Sequence, residues 1–379
     1  MKVSELPTPC FVVYEDRLRR NLELISEVSR RSGAKIIMAF KANALWRTFP
    51  IISEYCRDFT ASSLNELRLG NEELGGDAHS YCPAYTSGTI GEYMRRSTHI
   101  TFNSISQWER FARLWDAAGR HPSPGLRVNP KCSVIETDIY NPALPGSRFG
   151  VSADEIVPNL PEGIEGLHFH ALCESTSYDL EKVLTAFESQ FGHLLSQVKW
   201  VNMGGGHLMT RQGYDTEHLI KILQKFRSRY PHLQVILEPG SAFTWRTGDL
   251  LTTVVDVVEN DGISTGIIDA SFACHMPDTL EMPYRPIITE AVADDAPASC
   301  SFRLGGNSCL SGDFCGPWSF ARPLQPGQRL TLEDMNHYTT VKTTMFNGIQ
   351  HPDIALCRAD GSVEYLRRFT YDDYKSRMS

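Results

Sequence analysis

From about residue 12 to about residue 250, short apolar runs rich in Val, Ile, Phe and Tyr alternate with helix-patterned segments, and few folds accept that rhythm. A repeated strand-helix unit builds a parallel sheet, because each helix carries the chain back to the end where the next strand starts. Strands are expected at 35–40, 58–61, 78–81, 99–102, 126–129, 166–170, 199–203 and 235–238. These eight strands predict a closed (β/α)8 barrel, the TIM barrel. The segments between them carry the stripe of a helix packed on a barrel. Leu18, Leu22, Ile25 and Val28 recur three or four apart, and Leu180, Val183, Leu184, Phe187, Phe191 and Leu194 do the same.

After Trp245 the helical periodicity nearly vanishes, and β-patterned runs follow at 251–258, 267–268, 301–304 and 328–332. The expected organisation is a barrel over 12–250 and a mostly β domain over 251–379 that also takes in residues 1–11. A chain of 379 residues, 41% hydrophobic and 22% charged, suits two such domains. The formal charge of -8 is spread along the chain without a basic tract, so neither nucleic acid nor a lipid surface is an expected partner. The start, Met1 to Pro7, lacks the charged head and apolar run of a signal peptide, and no apolar stretch reaches the roughly 18 residues that span a membrane. The expectation is a soluble, cytoplasmic protein. Ten cysteines without a Cys-x-x-Cys pair suggest reduced, mostly buried thiols and no metal site.

A barrel of this type does its chemistry at the C-terminal ends of its strands. Four features fall there: Lys41, His170, the run Gly204-Gly205-Gly206, and Glu238. Lys41 follows the apolar run 36–40, which partly desolvates its amine and favours the neutral nucleophile that a Schiff base needs. Three glycines leave backbone N–H groups open to wrap a phosphate. Glu238 is a carboxylate at a strand end, costly to bury unless paired, and a protonated pyridine nitrogen is a fitting partner. A flat ring such as His170 stacks on a cofactor. Each has a plainer reading alone: a snorkelling lysine, a tight turn, a core histidine. Together they are the parts that pyridoxal phosphate requires.

These residues resemble the barrel-fold pyridoxal-phosphate family that includes alanine racemase and the ornithine, arginine and diaminopimelate decarboxylases. The resemblance implies that Lys41 carries the cofactor, His170 lies against its ring, Gly204 to Gly206 hold its phosphate and Glu238 pairs with its ring nitrogen. Arg127 and the Arg148-Phe149-Gly150 stretch match as well. Gly306 to Asp313 resembles the decarboxylase loop whose cysteine, here Cys309, reaches the neighbouring subunit's site and whose aspartate, here Asp313, binds substrate. The segment from Glu333 to Thr339 resembles the one whose tyrosine, here Tyr338, contacts the cofactor phosphate. A homodimer with shared sites is implied. Glu238 favours decarboxylase over racemase, since racemases of this fold place an arginine there.

His170-Ala171-Leu172-Cys173-Glu174 departs from the ornithine enzymes by putting Cys173 where they have a phosphate-binding serine. Glu238-Pro239-Gly240 is followed by Ser241-Ala242, without their arginine. With His275-Met276-Pro277-Asp278, these departures resemble the carboxynorspermidine and carboxyspermidine decarboxylase branch of polyamine biosynthesis. A carboxylated polyamine has a cationic tail, which suits carboxylates at Asp278, Asp313 and Glu174. A diaminopimelate, ornithine or arginine decarboxylase, and a non-catalytic homologue that keeps the cofactor, remain the alternatives.

Overall fold

Residues 1–116, 121–297 and 299–379 are described by a computed structural model, and they form two units: Asn21–Phe243, and Met1–Arg20 together with Thr244–Ser379. The first unit is the barrel. Its strands Phe59–Ala61, Ala78–Tyr81, His99–Phe102, Ser123–Arg127, Gly166–His168, Trp200–Asn202 and Gln234–Leu237 pair in parallel in chain order. The expected first strand is split into Lys35–Ile36 and Met38–Ala39, because this run serves two neighbours. Lys35–Ile36 pairs with Gln234–Leu237, and Met38–Ala39 with Phe59–Ala61. Its N–H groups alternate sides: Ile37 donates to the Leu237 carbonyl at 2.9 Å and Met38 to that of Asp58 at 3.0 Å. A strand bonded along both edges closes the sheet, so the nine pieces are eight strands and the barrel has no free edge.

The fifth strand starts at Ser123 rather than at 126, since Pro124-Gly125 reads as a turn in sequence yet lies in the ladder. The reason is Trp200. Its buried indole fills the barrel interior and donates to Ser123 Oγ at 2.9 Å. A Cβ on Gly125 would stand 2.2 Å from the ring, and one on Gly166 2.0 Å. Gly166→Ala is therefore expected to destabilise the protein by about 1–3 kcal/mol through overpacking, read as a lower denaturation midpoint; an unchanged midpoint would refute the role given to Trp200.

The helices form where the stripes lie. Leu18, Leu22, Ile25 and Val28 of helix Glu15–Ser32 are all buried, with Glu15 and Asp16 in its first turn and Arg30 and Arg31 in its last, the placement its dipole favours. Helix Ser177–Phe191 starts at Thr176, whose hydroxyl accepts from the Asp179 N–H while the Asp179 carboxylate accepts from that of Thr176.

The second unit is a mixed sheet in the order Phe314–Phe320, Cys300–Gly305, Ile263–Ile268, Gly248–Asn260, Cys10–Tyr14, Asp353–Cys357, Val363–Arg367, with Arg329–Leu332 also on Gly248–Asn260. The division of the chain thus falls after Arg20 and Phe243 rather than after residues 11 and 250. Strand Cys10–Tyr14 causes the difference: it pairs antiparallel with Gly248–Asn260 and parallel with Asp353–Cys357, partners that no local pattern announces. Phe272, Phe320, Leu250 and Trp318 lie in the core of this unit. Among the described residues no helix is long and apolar enough to cross a membrane. The thiols are less buried than expected: only Cys10, Cys82 and Cys274 are, and Cys309 is exposed.

Candidate active site

The strand ends of the barrel unit bring together Lys41, Arg127, His170, Gly204 to Gly206 and Glu238. Lys41 lies two residues past Met38–Ala39, with surface open to solvent and no hydrogen bond or ion pair on its Nζ among the described residues. Protein nevertheless crowds around the amine. This burial, and then the charge of Arg127, push its pKa down, while Glu238 opposes them. Accessible surface and crowding are compatible in a concave site, and both matter: the amine is reachable, and its neutral form is favoured.

Glu238, one residue past Gln234–Leu237, is 9% exposed. Asn202 Nδ2 donates to its Oε1 at 2.6 Å. Burial raises the Glu238 pKa, against the bonds from Asn202 and Thr60 and the charges of Lys41 and Arg127. This carboxylate is short of a counter-charge, and a cationic ring nitrogen would supply one.

Arg127 is buried, its guanidinium 4.6 Å from the Tyr81 ring centroid and 4.5 Å from that of Phe149, and its Nη2 donates to the His170 carbonyl at 3.3 Å. The arginine thus braces the strand end that carries His170. The Gly205 N–H donates to His170 Nδ1 at 3.0 Å, which leaves the ring proton of the neutral imidazole on Nε2. Burial, Lys41 and Arg127 hold that imidazole neutral.

The glycine run differs from a simple phosphate cradle. Gly204 gives its N–H to Asn202 Oδ1 at 2.9 Å and Gly205 gives its own to His170, so among the three only the Gly206 N–H has no acceptor in the described residues. Glycine is needed because the loop presses on its neighbours. A Cβ on Gly204, where φ is +69°, would stand 2.5 Å from the Phe169 carbonyl oxygen, and one on Gly206, where φ is +88°, 2.2 Å from that of Leu172.

The other expected residues divide differently. Glu174 is half-buried in the barrel unit with φ +47°. Asp278, Cys309, Asp313 and Tyr338 belong to the sheet unit. Asp313 is buried and saturated: Ser271 Oγ donates at 2.8 Å, the Ala273 N–H at 2.9 Å, Ser308 Oγ at 2.5 Å and the Ser308 N–H at 3.2 Å. Its carboxylate organises the loop that presents Cys309, and the Cys309 N–H donates to Asn347 Oδ1 at 2.8 Å. Asp278 is paired with Lys342, whose ammonium also meets Glu281 at 2.5 Å. Tyr338 is half-buried with φ +51°.

Sequence reading missed Asn202, Thr60, Tyr81 and His168. The signal was period two: His168 lies two residues before His170 in the run read as a strand at 166–170, and Asn202 is a polar residue inside the apolar run 199–203.

Several barrel histidines are held neutral by burial: His79, His168 and His170 well below the usual 6.5, and His99 and His207 at about 4. The unfolded chain takes up protons as pH falls through about 6.5, and the folded chain does not until lower pH. Stability is thus fully present above that value and lost as pH drops toward 4. Calorimetry without added cofactor should show a melting temperature that falls steadily over this range; a flat profile would contradict the buried neutral rings.

The family model described as pyridoxal-dependent decarboxylase, C-terminal sheet domain, matches residues 11–336. The chain belongs to the pyridoxal-dependent decarboxylases. This decarboxylase is 45% identical over 378 residues to the carboxyaminopropylagmatine decarboxylase of Synechocystis sp., covering 100% of this chain and 97% of that protein. It is 38% identical over 387 residues to the carboxynorspermidine/carboxyspermidine decarboxylase of Campylobacter jejuni, covering all of both. The crystal structure of carboxynorspermidine decarboxylase from Campylobacter jejuni, complexed with norspermidine, superposes with a TM-score of 0.90 at 38% identity, over 98% of this chain and 100% of that one. Pyridoxal phosphate is the decarboxylase's cofactor, and the barrel unit fits it: a weakly basic amine and a Gly206 N–H that have no partner among the described residues, and a buried carboxylate whose pKa burial raises.

Proposed function

We propose that this decarboxylase removes the α-carboxylate of a carboxylated polyamine, giving the polyamine and CO₂. The observation that carries the site assignment is the accessible, weakly basic amine of Lys41 in the same strand-end cluster as the buried Glu238 carboxylate. When bound, pyridoxal phosphate supplies an electron sink for the pair freed as the C–CO₂ bond breaks. Lys41 Nζ would hold the cofactor's aldehyde carbon, and the ionised Glu238 carboxylate would accept a hydrogen bond from the protonated ring nitrogen and so keep the proton on that nitrogen. His170 would meet the ring, its orientation fixed by Gly205 and its own carbonyl held by Arg127. Gly206 would meet the phosphate, and Gly204 and Gly205 act by shaping the loop. Cys309 Sγ gives a proton to the substrate's α-carbon in the site of the partner subunit of a homodimer, and its exposure suits that reach. In the barrel unit Glu174 is a carboxylate suited to a cationic tail; in the sheet unit Asp278 is another, and Asp313 holds the Cys309 loop. The reaction takes place in the cytoplasm.

The tail ends either in a primary amine, as in carboxynorspermidine and carboxyspermidine, or in a guanidinium, which the 45% identity to a carboxyaminopropylagmatine decarboxylase favours. CO₂ release from these substrates, beside diaminopimelate, ornithine and arginine, tests the reading on purified protein with added cofactor. Turnover confined to the carboxylated polyamines is expected. Preference for one of the three simple amino acids would overturn the substrate assignment, and cofactor uptake with no CO₂ from any of them would leave a non-catalytic homologue.

A further inference from the structure

His168 lies beneath the site with no assigned task. It ends strand Gly166–His168, is 2% exposed, and neither of its ring nitrogens has a hydrogen-bond partner among the described residues. Native interiors rarely keep a buried polar ring unpaired without a use for it. Its Nε2 stands 3.7 Å from Glu238 Oε2, too far for a hydrogen bond and close enough for a small shift to make one. Burial, Arg127 and Lys41 keep the ring neutral, so it is available as an N–H donor and not as a counter-ion. The Tyr81 ring packs against it at 5.4 Å, edge to face, limiting how it turns.

Glu238 needs such a donor. Asn202 holds Oε1, and Oε2 faces His168. A carboxylate in a desolvated place keeps its charge only while donors and cations surround it, and here those are Asn202, Thr60, Lys41 and Arg127. Once Lys41 is bonded to an aldehyde, its contribution changes, and the remaining donors carry more of the task.

We infer that His168 is a positioning residue for Glu238, its Nε2–H closing on Oε2 to keep the carboxylate ionised and aimed at the cofactor's ring nitrogen. This rests on Glu238 being the partner of that nitrogen. The arrangement explains why two histidines occur two residues apart: His170, just past the strand end, is placed to meet the ring, and His168 steadies the acid that meets its nitrogen.

The test uses holoenzyme reconstituted with pyridoxal phosphate carrying ¹⁵N in the ring, comparing wild type with His168→Leu, His168→Gln and Glu238→Gln by nitrogen NMR across pH and by steady-state kinetics. Leu removes the donor, and Gln keeps an N–H near the position of Nε2. In His168→Leu the pH at which the ring nitrogen loses its proton should fall by about one unit, and kcat should fall about tenfold with a smaller change in KM. His168→Gln should recover most of both. A wild-type nitrogen resonance and kcat in His168→Leu would overturn the inference. If Glu238→Gln alone moves the resonance, the role of His168 fails and that of Glu238 stands; if neither variant moves it, the reading of Glu238 fails as well. Should His168→Leu not fold, His168→Asn, polar but too short to reach Oε2, is read in its place against the same outcomes.

Discussion

Lys41→Ala is expected to lose the visible absorbance of bound cofactor and to lower turnover by on the order of 10³-fold or more, as removal of a covalently bonding group does. The structure makes this a chemical loss and not a folding one. Lys41 Nζ makes no hydrogen bond or ion pair among the described residues, and its side chain is open to solvent, so shortening it leaves no cavity in a packed core. Circular dichroism and melting temperature should stay close to wild type while absorbance and CO₂ release vanish. Lys41→Arg should fail in the same way, because a guanidinium stays charged and cannot attack an aldehyde. A variant with Ala at 41 that keeps both colour and turnover would remove Lys41 from the mechanism.

Glu238→Gln should lower turnover by about 10²-fold, the scale on which one preorganised electrostatic partner acts, and should have an opposite effect on stability. Burial raises the Glu238 pKa, so in the folded chain the carboxyl holds its proton to higher pH than in the unfolded chain. As pH climbs from the ordinary carboxylate value through the raised one, the unfolded state is favoured and stability is lost. A glutamine carries no charge to bury, so the variant without cofactor should melt at or above the wild-type temperature at neutral pH while working far more slowly. This pairing of lost activity with kept or gained stability marks a group held at a site for function. A variant that is destabilised and fully active would reverse the assignment.

The barrel was legible in the sequence because each strand and helix announces itself locally, by period two or by the stripe of Leu18, Leu22, Ile25 and Val28. What depends on distant partners was not. Strand Cys10–Tyr14 joins the C-terminal sheet through pairings more than 200 residues away, so the division of the chain fell elsewhere than the pattern change near 250 suggested. Gly125 looked like a turn because nothing nearby in sequence shows that Trp200 occupies the space a Cβ would need. At the site, Lys41, His170 and Glu238 were readable from their position at strand ends. The tasks of the glycines were not: two of the three N–H groups serve Asn202 and His170, a matter of side chains from neighbouring strands. Asp313 is expected from its motif to bind substrate, and what no motif displays is that Ser271, Ala273 and Ser308 donate to its carboxylate in the fold. Asp278 offers its carboxylate to Lys342, 64 residues on, a pairing no motif displays.

The most direct test of the account is to reduce the cofactor-loaded enzyme with borohydride, digest it and locate the retained pyridoxyl group by mass spectrometry. The group is predicted on the peptide that carries Lys41 and on no other. Recovery on a different lysine, or on none, would contradict it.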